Sequence, residues 1–519
     1  MSAPLLHLHS LQIDTGSRRL LGPLSLEIRR GECLGLVGES GSGKSLSALA
    51  LLGLLPPGLR AAATVLHEDR EIALASSTHA ALRGRVLGWV PQDPLGSLHP
   101  LRTVGAQLIE TLRVLRALSR GDAQREAEAL FARVQLPEPG DALHKYPHQF
   151  SGGQRQRIAI ALALAAQPCV LIADEPTSAL DARIARDILD LLDTLRREAG
   201  LSLLLISHDL PLIGEYAQRL LVLRRGAVVE SGTTREVFTN PQHAYTRELL
   251  AADRLQPLPP TPAPQPLLLR GEHLRVRYPR APRDALSDAS IDLHRGEGLA
   301  LVGESGSGKS TLGRVLLRLL RNAQGSVRFD GVELGHLNRA ALRKLRARIG
   351  VVFQDPYASL DPRLRIADII AEPLRIHGRG DAASRRARVA ELMQAVGLEA
   401  AMLDRYPHQF SGGQRQRIAI ARALATDPEL LVCDEAVSAL DAHHRAAVLA
   451  LLAQLKRERG LALLFVTHDL AAAVAVAERI AVLEAGRIVE TGTTAGVLRA
   501  PQHPHTQALL AARPHALAL

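Results

Sequence analysis

The chain is predicted to fold as two copies of one α/β domain, each built on a mainly parallel core sheet. Three observations carry this reading. The sixteen residues YPHQFSGGQRQRIAIA stand at Tyr146–Ala161 and again, unchanged, at Tyr406–Ala421. LVGESGSGKS stands at Leu36–Ser45 and at Leu301–Ser310. In both halves, short wholly apolar runs alternate with segments of helical spacing. The offset between copies is 265 at Lys44 and Lys309 (309 − 44), and 260 at Ser151 and Ser411, Asp174 and Asp434, and His208 and His468. Length changes therefore fall ahead of the repeated sixteen residues, and a period this long is a domain duplication rather than a solenoid.

In chain order, MSAPLLHLHS lacks a charged leader and a long apolar stretch, so no signal peptide is expected. ECLGLVG reads as a strand, the Gly-rich stretch after it as a turn, and KSLSALALLGLL as a helix. CVLIAD and LSLLLIS are apolar enough to be strands covered on both faces. Between them ARIARDILDLLDTLRREAG has helical spacing and should stop at Gly200. RLQPLPPTPAPQP, Arg254–Pro266, has six prolines and no apolar periodicity, which predicts a semi-rigid connector. The domains are thus 1–253 and 267–519, with the linker at 254–266.

Aromatic residues make up 3% of the chain, so Leu, Ala, Val and Ile must build the cores. Cys33, Cys169 and Cys433 lie far apart in apolar runs and read as small buried hydrophobes, not as ligands or disulfides. No apolar stretch reaches the roughly 20 residues of a membrane span. The net charge of +10 admits an anionic partner, but no run of five Lys or Arg marks a nucleic-acid tail, so an Arg-rich solvated surface explains the charge.

The chemistry lies in the repeated motifs. GESGSGKS fits the G-x-x-x-x-G-K-[ST] pattern, whose glycines let the backbone wrap a polyphosphate so that successive N–H groups point inward. The following helix offers its positive N-terminal end. Lys44 and Lys309 would neutralise β/γ oxygens, and Ser45 and Ser310 would offer hydroxyls to Mg2+. A hydrolytic site also needs a carboxylate at a strand end. CVLIADE and LLVCDE supply Asp174 with Glu175 and Asp434 with Glu435, the aspartate for the metal and the glutamate to orient or deprotonate the attacking water. His208 and His468, ending the next strand, are placed to donate to a γ-phosphate.

This order of P-loop, Gln92 in VPQDP, FSGGQ, Asp-Glu, SALD and SHD resembles the nucleotide-binding domain of ATP-binding cassette (ABC) proteins, and copy two repeats it with Gln354 in VFQDP and THD. The resemblance covers nearly the whole chain. It implies two tandem P-loop NTPase domains, each with a helical signature subdomain. It implies ATP contacts by Gly38, Glu39, Ser40, Gly41, Ser42, Gly43, Lys44, Ser45 and Leu46, and by Gly303, Glu304, Ser305, Gly306, Ser307, Gly308, Lys309, Ser310 and Thr311. Mg2+ would be served by Ser45, Gln92 and Asp174, and by Ser310, Gln354 and Asp434. In the family the signature of one domain completes the ATP site of the other. Ser151, Gly152, Gly153 and Gln154 would then serve the Lys309 site, and Ser411, Gly412, Gly413 and Gln414 the Lys44 site, with Asp181 and Asp441 of SALD crossing the interface. Arg155, Arg157, Arg415 and Arg417 are expected to hold the signature helix to its own subdomain or to a partner.

Two departures separate the copies. Tyr278 stands where the family stacks an aromatic on adenine, whereas LQIDTGSRR has none. Thr311 follows Ser310, whereas Leu46 follows Ser45. Both predict weaker ATP binding at the first site. The tails NPQHAYTRELLAA and APQHPHTQALLAA resemble those of the peptide/nickel importer subfamily, as do PQDPLGSLHP and FQDPYASLDP. The fused pair resembles the tandem ATPases of Yej-type peptide and microcin C importers, and next those of glutathione importers. The resemblance implies two transmembrane permeases docking on Leu95–Val134 and Tyr357–Met402, a periplasmic solute-binding protein, a peripheral place on the cytoplasmic face of the inner membrane, ATP and Mg2+ as cofactors, and no Fe–S cluster or nucleic acid. The alternative is a soluble tandem ABC ATPase acting on ribosomes or RNA. The cargo itself is not legible, because these domains touch nucleotide and permease.

Overall fold

The computed structural model describes residues 4–512 apart from 17, 179, 253–257, 259–264, 280, 282, 321, 356–358, 439 and 441. Asp441, Tyr357 and nearly all of the Pro-rich 254–266 segment lie outside the described residues. The chain divides into two compact units, with the division in sequence between 253 and 254.

In unit one the core sheet has six strands, in the order Ala227–Thr233, Arg219–Arg224, Cys33–Gly38, Ser202–Ser207, Val170–Asp174, Leu87–Val90. All neighbours are parallel except the Ala227–Thr233 hairpin strand. Its wholly apolar strands are buried throughout: Val170 and Ile172 enter one apolar cluster, Leu171 and Ala173 the other. That two-sided burial is why the sequence shows continuous apolar runs here instead of alternation. The helix Ala182–Ala199 crosses between two of these strands and stops where Gly200 takes φ 63, a left-handed end that glycine adopts at least cost. The first helix, Lys44–Leu52, is shorter than KSLSALALLGLL suggests. Gly53 turns left-handed at φ 65, and the amides of Gly53 and Leu54 return to the carbonyls of Ala50 and Leu49.

A second, four-stranded antiparallel sheet (Arg18–Arg29, Pro4–Thr15, Leu59–His67, Arg70–Ala73) covers the other side of that first helix through Leu6, Leu8, Ile13, Leu51 and their neighbours. Three helices, Val104–Arg116, Arg120–Arg133 and Gly152–Leu164, form a helical subdomain around Leu108, Leu112, Phe131 and Ile158.

Unit two repeats this plan. Its core sheet runs Ile349–Val352, Leu430–Asp434, Ala462–Thr467, Gly298–Val302, Arg479–Glu484, Arg487–Thr493, and its antiparallel sheet joins Leu286–His294, Leu267–Val276, Gln324–Phe329 and Val332–Glu333. Ile366–Ile376, Ala382–Ala395 and Gly412–Ala423 form its helical subdomain.

One cysteine differs from expectation. Cys33 and Cys433 are buried in core strands, but Cys169 is exposed. It sits in the turn after Pro168, one residue before its strand begins, with its amide donating to Val86 O and its carbonyl accepting from Ser202 N.

Candidate active site

The Gly38–Ser45 loop connects a fully buried strand to a helix. Its shape depends on two glycines, Gly41 at φ 77 and Gly43 at φ 105, a region that side-chain-bearing residues rarely enter. Lys44 is 4% exposed, and its ammonium donates to Gly38 O at 2.7 Å and Glu39 O at 2.9 Å. The amine is thereby pinned over the loop's mouth. Copy two matches it: Gly306 φ 81, Gly308 φ 107, and Lys309 donating to Gly303 O and Glu304 O, each at 2.8 Å. The hydroxyls of Ser42 and Ser307 are buried without a hydrogen-bond partner. Buried polar atoms are seldom left so, and an oxygen-rich anion seated in the loop is the kind of group that would satisfy them.

The next side chain faces the strand-end carboxylates. Ser45 donates to Asp174 Oδ1 at 3.0 Å, and Ser310 to Asp434 Oδ1 at 3.0 Å. Burial pushes both aspartates up, and the serine hydrogen bonds pull against it without prevailing.

Each adjoining glutamate is the hub of its site. Gln92 Nε2 donates to Glu175 Oε2 at 3.0 Å, His208 Nδ1 lies 3.3 Å from the same oxygen, and Lys44 Nζ lies 3.6 Å from Oε1. In copy two Gln354 Nε2 donates to Glu435 Oε2 at 2.7 Å, and His468 Nδ1 stands 3.6 Å from Oε1. Burial works to raise the Glu175 carboxyl, but His208 and Lys44 together hold it below the ordinary glutamate range. The His468 ring does the same for Glu435 against burial. The backbone at these glutamates is not legible from residue types. Glu175 and Glu435 both sit at positive φ, 45 and 49, with their amides donating to Ile206 O and Val466 O of the neighbouring strand at 2.9 Å. Such backbone strain clusters at functional positions, and here it turns the glutamate out of its strand toward the glutamine and histidine.

The signature residues form helix starts. Ser151 Oγ accepts from Gln154 N at 3.3 Å while Gln154 Oε1 accepts from Ser151 N at 2.9 Å, a reciprocal cap. Ser411 and Gln414 repeat it at 3.3 and 3.0 Å. Gln154 and Gln414 are thus partly occupied in shaping the helix end, and each serine hydroxyl keeps its proton to donate. Gly153 and Gly413 are also required by packing: a Cβ would come within 2.6 Å of Ile184 and 2.5 Å of His444, respectively. The arginines hold the signature helix to its own subdomain. Arg155 donates to Pro147 O, Arg157 to Val134 O, Arg415 to Pro407 O and Arg417 to Val396 O. Asp181 caps the helix Ala182–Ala199 through Ile184 N at 3.0 Å.

Tyr278 and Thr311, noted separately in the sequence, lie together: their hydroxyl oxygens are 3.3 Å apart. In copy one Leu46 instead packs against the apolar cluster of the antiparallel sheet.

Residues 21–178 and 286–438 both match the family described as ABC transporter, together more than half of the chain. The chain belongs to the ABC transporter family. Residues 229–254 and 489–517 match the C-terminal region of oligopeptide/dipeptide transporters. Glutathione import ATP-binding proteins GsiA of Escherichia coli (strain K12) and Shigella sonnei (strain Ss046) are 45% identical to it, across 95% of this chain and 86% of each relative. Among solved structures, the ATP-binding cassette MJ0796, in a dimer bound to ADP and Pi, aligns with 44% of this chain and 99% of its own at 32% identity and a TM-score of 0.41. Each copy is therefore an ABC cassette, and the chain is the ATP-hydrolysing motor subunit of an importer of the oligopeptide/dipeptide type. An importer ATPase works on membrane permeases. No helix among the described residues is long and apolar enough to cross a membrane itself.

Proposed function

We propose that this ABC subunit powers uptake of peptides or small peptide-like thiols such as glutathione through two permeases, at the cytoplasmic face of the inner membrane, with a solute-binding protein presenting the cargo. The observation that carries this reading is the tail of each cassette. Glu230 accepts from the amides of Gln242 and His243 at 2.7 and 3.0 Å, and Glu490 accepts from those of Gln502 and His503 at 2.9 and 3.0 Å. The tails that match the oligopeptide-type region are thus folded onto their cassettes in the same way twice. The glutathione-import relatives supply the cargo class.

At each site the proposed roles follow the geometry. The Gly38–Ser45 and Gly303–Ser310 loops cradle ATP's phosphates, Lys44 and Lys309 neutralise them, and Glu175 and Glu435 orient the attacking water with Gln92, His208, Gln354 and His468 around them. The Ser151 and Ser411 helix starts present N–H groups to a γ-phosphate. Ser45, Gln92 and Asp174, and Ser310, Gln354 and Asp434, are oxygen donors suited to Mg2+, which when bound would neutralise charge on phosphate oxygens. Tyr278 and Thr311 serve adenine and the α-phosphate at the second site.

The deciding experiment co-expresses the chain with two candidate permeases, reconstitutes them in vesicles with a solute-binding protein, and measures ATP-dependent uptake of glutathione and of dipeptides. Uptake lost in a Glu175→Gln/Glu435→Gln chain supports the reading. Recovery of the chain with ribosomes instead of permeases, at salt-sensitive affinity, would sink it.

A further inference from the structure

The oligopeptide-type tail of cassette one reaches the phosphate loop. Tyr245, in the helix Ala244–Ala252, is 1% exposed, and its phenol oxygen accepts from the Glu39 backbone N–H at 2.9 Å, across 206 residues of chain. The Glu39 carbonyl is one of the two that hold the Lys44 ammonium. The Glu39 N–H itself belongs to the Gly38–Glu39 peptide, whose carbonyl is the other anchor, so Tyr245 bonds directly to a peptide that holds the phosphate-binding lysine. The tyrosine is itself fixed from three directions. The Arg224 guanidinium lies over its ring at 4.6 Å, its own amide donates to His243 Nδ1 at 3.1 Å, and the start of the tail is tied down by Glu230. Burial pushes its phenol pKa up, so the hydroxyl stays protonated and neutral at working pH.

Cassette two does not repeat this. The repeat offset of 260 puts His505 at the Tyr245 position and Glu484 at the Arg224 position. His505 Nδ1 lies 3.3 Å from Glu484 Oε1, and its Nε2 is buried without a partner. Cation over aromatic in one cassette has become imidazole beside carboxylate in the other.

We propose that Tyr245 is a positioning residue of the first nucleotide site, through which the C-terminal tail sets the Glu39 peptide and hence the seat of the Lys44 ammonium for the β-phosphate. This rests on the reading of Gly38–Ser45 as ATP's phosphate cradle. It gives the tail a direct effect on nucleotide affinity, in one cassette only.

The test uses the full-length chain carrying Lys309→Ala, so that only the first site binds, and titrates it calorimetrically with ADP and Mg2+, which avoids hydrolysis. Tyr245→Phe keeps the ring and the Arg224 contact and removes only the acceptor oxygen. Its ADP affinity should fall about two- to tenfold, the range of one neutral hydrogen bond, while the melting temperature of the nucleotide-free chain stays unchanged. Unchanged affinity overturns the proposal. So does a loss of affinity matched by a drop in nucleotide-free melting temperature, because the tail would then act by packing alone. Lys44→Ala in the same background is the control: if ADP still binds, it is the phosphate-cradle reading that fails.

Discussion

The two cassettes agree closely around Lys44 and Lys309, the proposed phosphate cradles, and diverge around the proposed adenine contact and at the domain's far end. Lys44 and Lys309 meet their loop carbonyls at 2.7 and 2.9 Å and at 2.8 and 2.8 Å, and both serine–aspartate contacts are 3.0 Å. Around this common centre, cassette two has Tyr278 and Thr311 where cassette one has an aromatic-free hairpin and Leu46, His505 beside Glu484 replaces Tyr245 beneath Arg224, and Glu429 replaces Cys169. A polyphosphate offers only charge and oxygen, so the backbone geometry that binds it admits few solutions. An adenine face or a peripheral ion pair admits many. The duplicated chain has kept the first and varied the second.

The largest expected effect removes one copy of the shared chemistry. Glu175→Gln or Glu435→Gln each should cut turnover at its own site by about 10²–10⁴, the worth of a positioned acid–base group. Steady-state kinetics of the two variants then expose the difference between the sites. The chain with only the second site active should show the lower KM for ATP, and equal values would remove the inequality assigned to Tyr278 and Thr311. A smaller effect follows from cutting that pair. Tyr278→Ala in the Glu175→Gln chain loses an aromatic contact worth about 1 kcal/mol, so KM at the second site should rise roughly fivefold and approach that of the first. A KM that does not move would show that the ring serves only the apolar cluster it also touches.

How much of this was readable follows from the range of each interaction. The strand–loop–helix of the P-loop, the Asp-Glu strand ends and the helix stop at Gly200 are local, because phosphate binding and helix capping demand fixed residue types at fixed spacing. The positive φ of Glu175 and Glu435 was hidden, since an acidic residue after an apolar strand looks the same in any backbone conformation. The antiparallel sheets were also missed. Their half-buried strands, such as PLLHLHSLQIDT, lack the continuous apolar signal that marked the parallel ones. The contact of Tyr245 and the exposure of Cys169 are hidden for a related reason. The tail motif showed a family label but not a partner 206 residues away, and CVLIAD looked like a strand from its first letter, although the strand begins at Val170.

The smallest effect concerns the site of that cysteine. In cassette two Glu429 and Asp330 share Arg295 and Arg348 in a closed ring of ion pairs, with Arg348 Nη2 2.6 Å from Asp330 Oδ2 and 2.8 Å from Glu429 Oε2. In cassette one the chain passes through the same turn with Cys169 amide on Val86 O, where Glu429 amide meets Arg348 O, and what remains is the single pair of Arg30 with Glu68. The ring residues are more than a third exposed, so solvent screens them and Glu429→Gln should cost only about 0.5–1 kcal/mol. For a cassette-sized domain that is a fall of roughly 1–4 °C in the melting transition of the second cassette, shrinking in 1 M salt as screening shortens. The sign of its pH dependence is fixed. Arg348 and Arg295 hold Glu429 and Asp330 below their ordinary values of 4.5 and 3.8, so the stabilisation is complete above those values and is lost as pH falls through the lowered ones. The converse substitution sharpens the comparison. Cys169→Glu should not stabilise cassette one, because Val86 stands where Arg348 would have to be, and a gain in its melting temperature would show that Arg30 alone can support the ring.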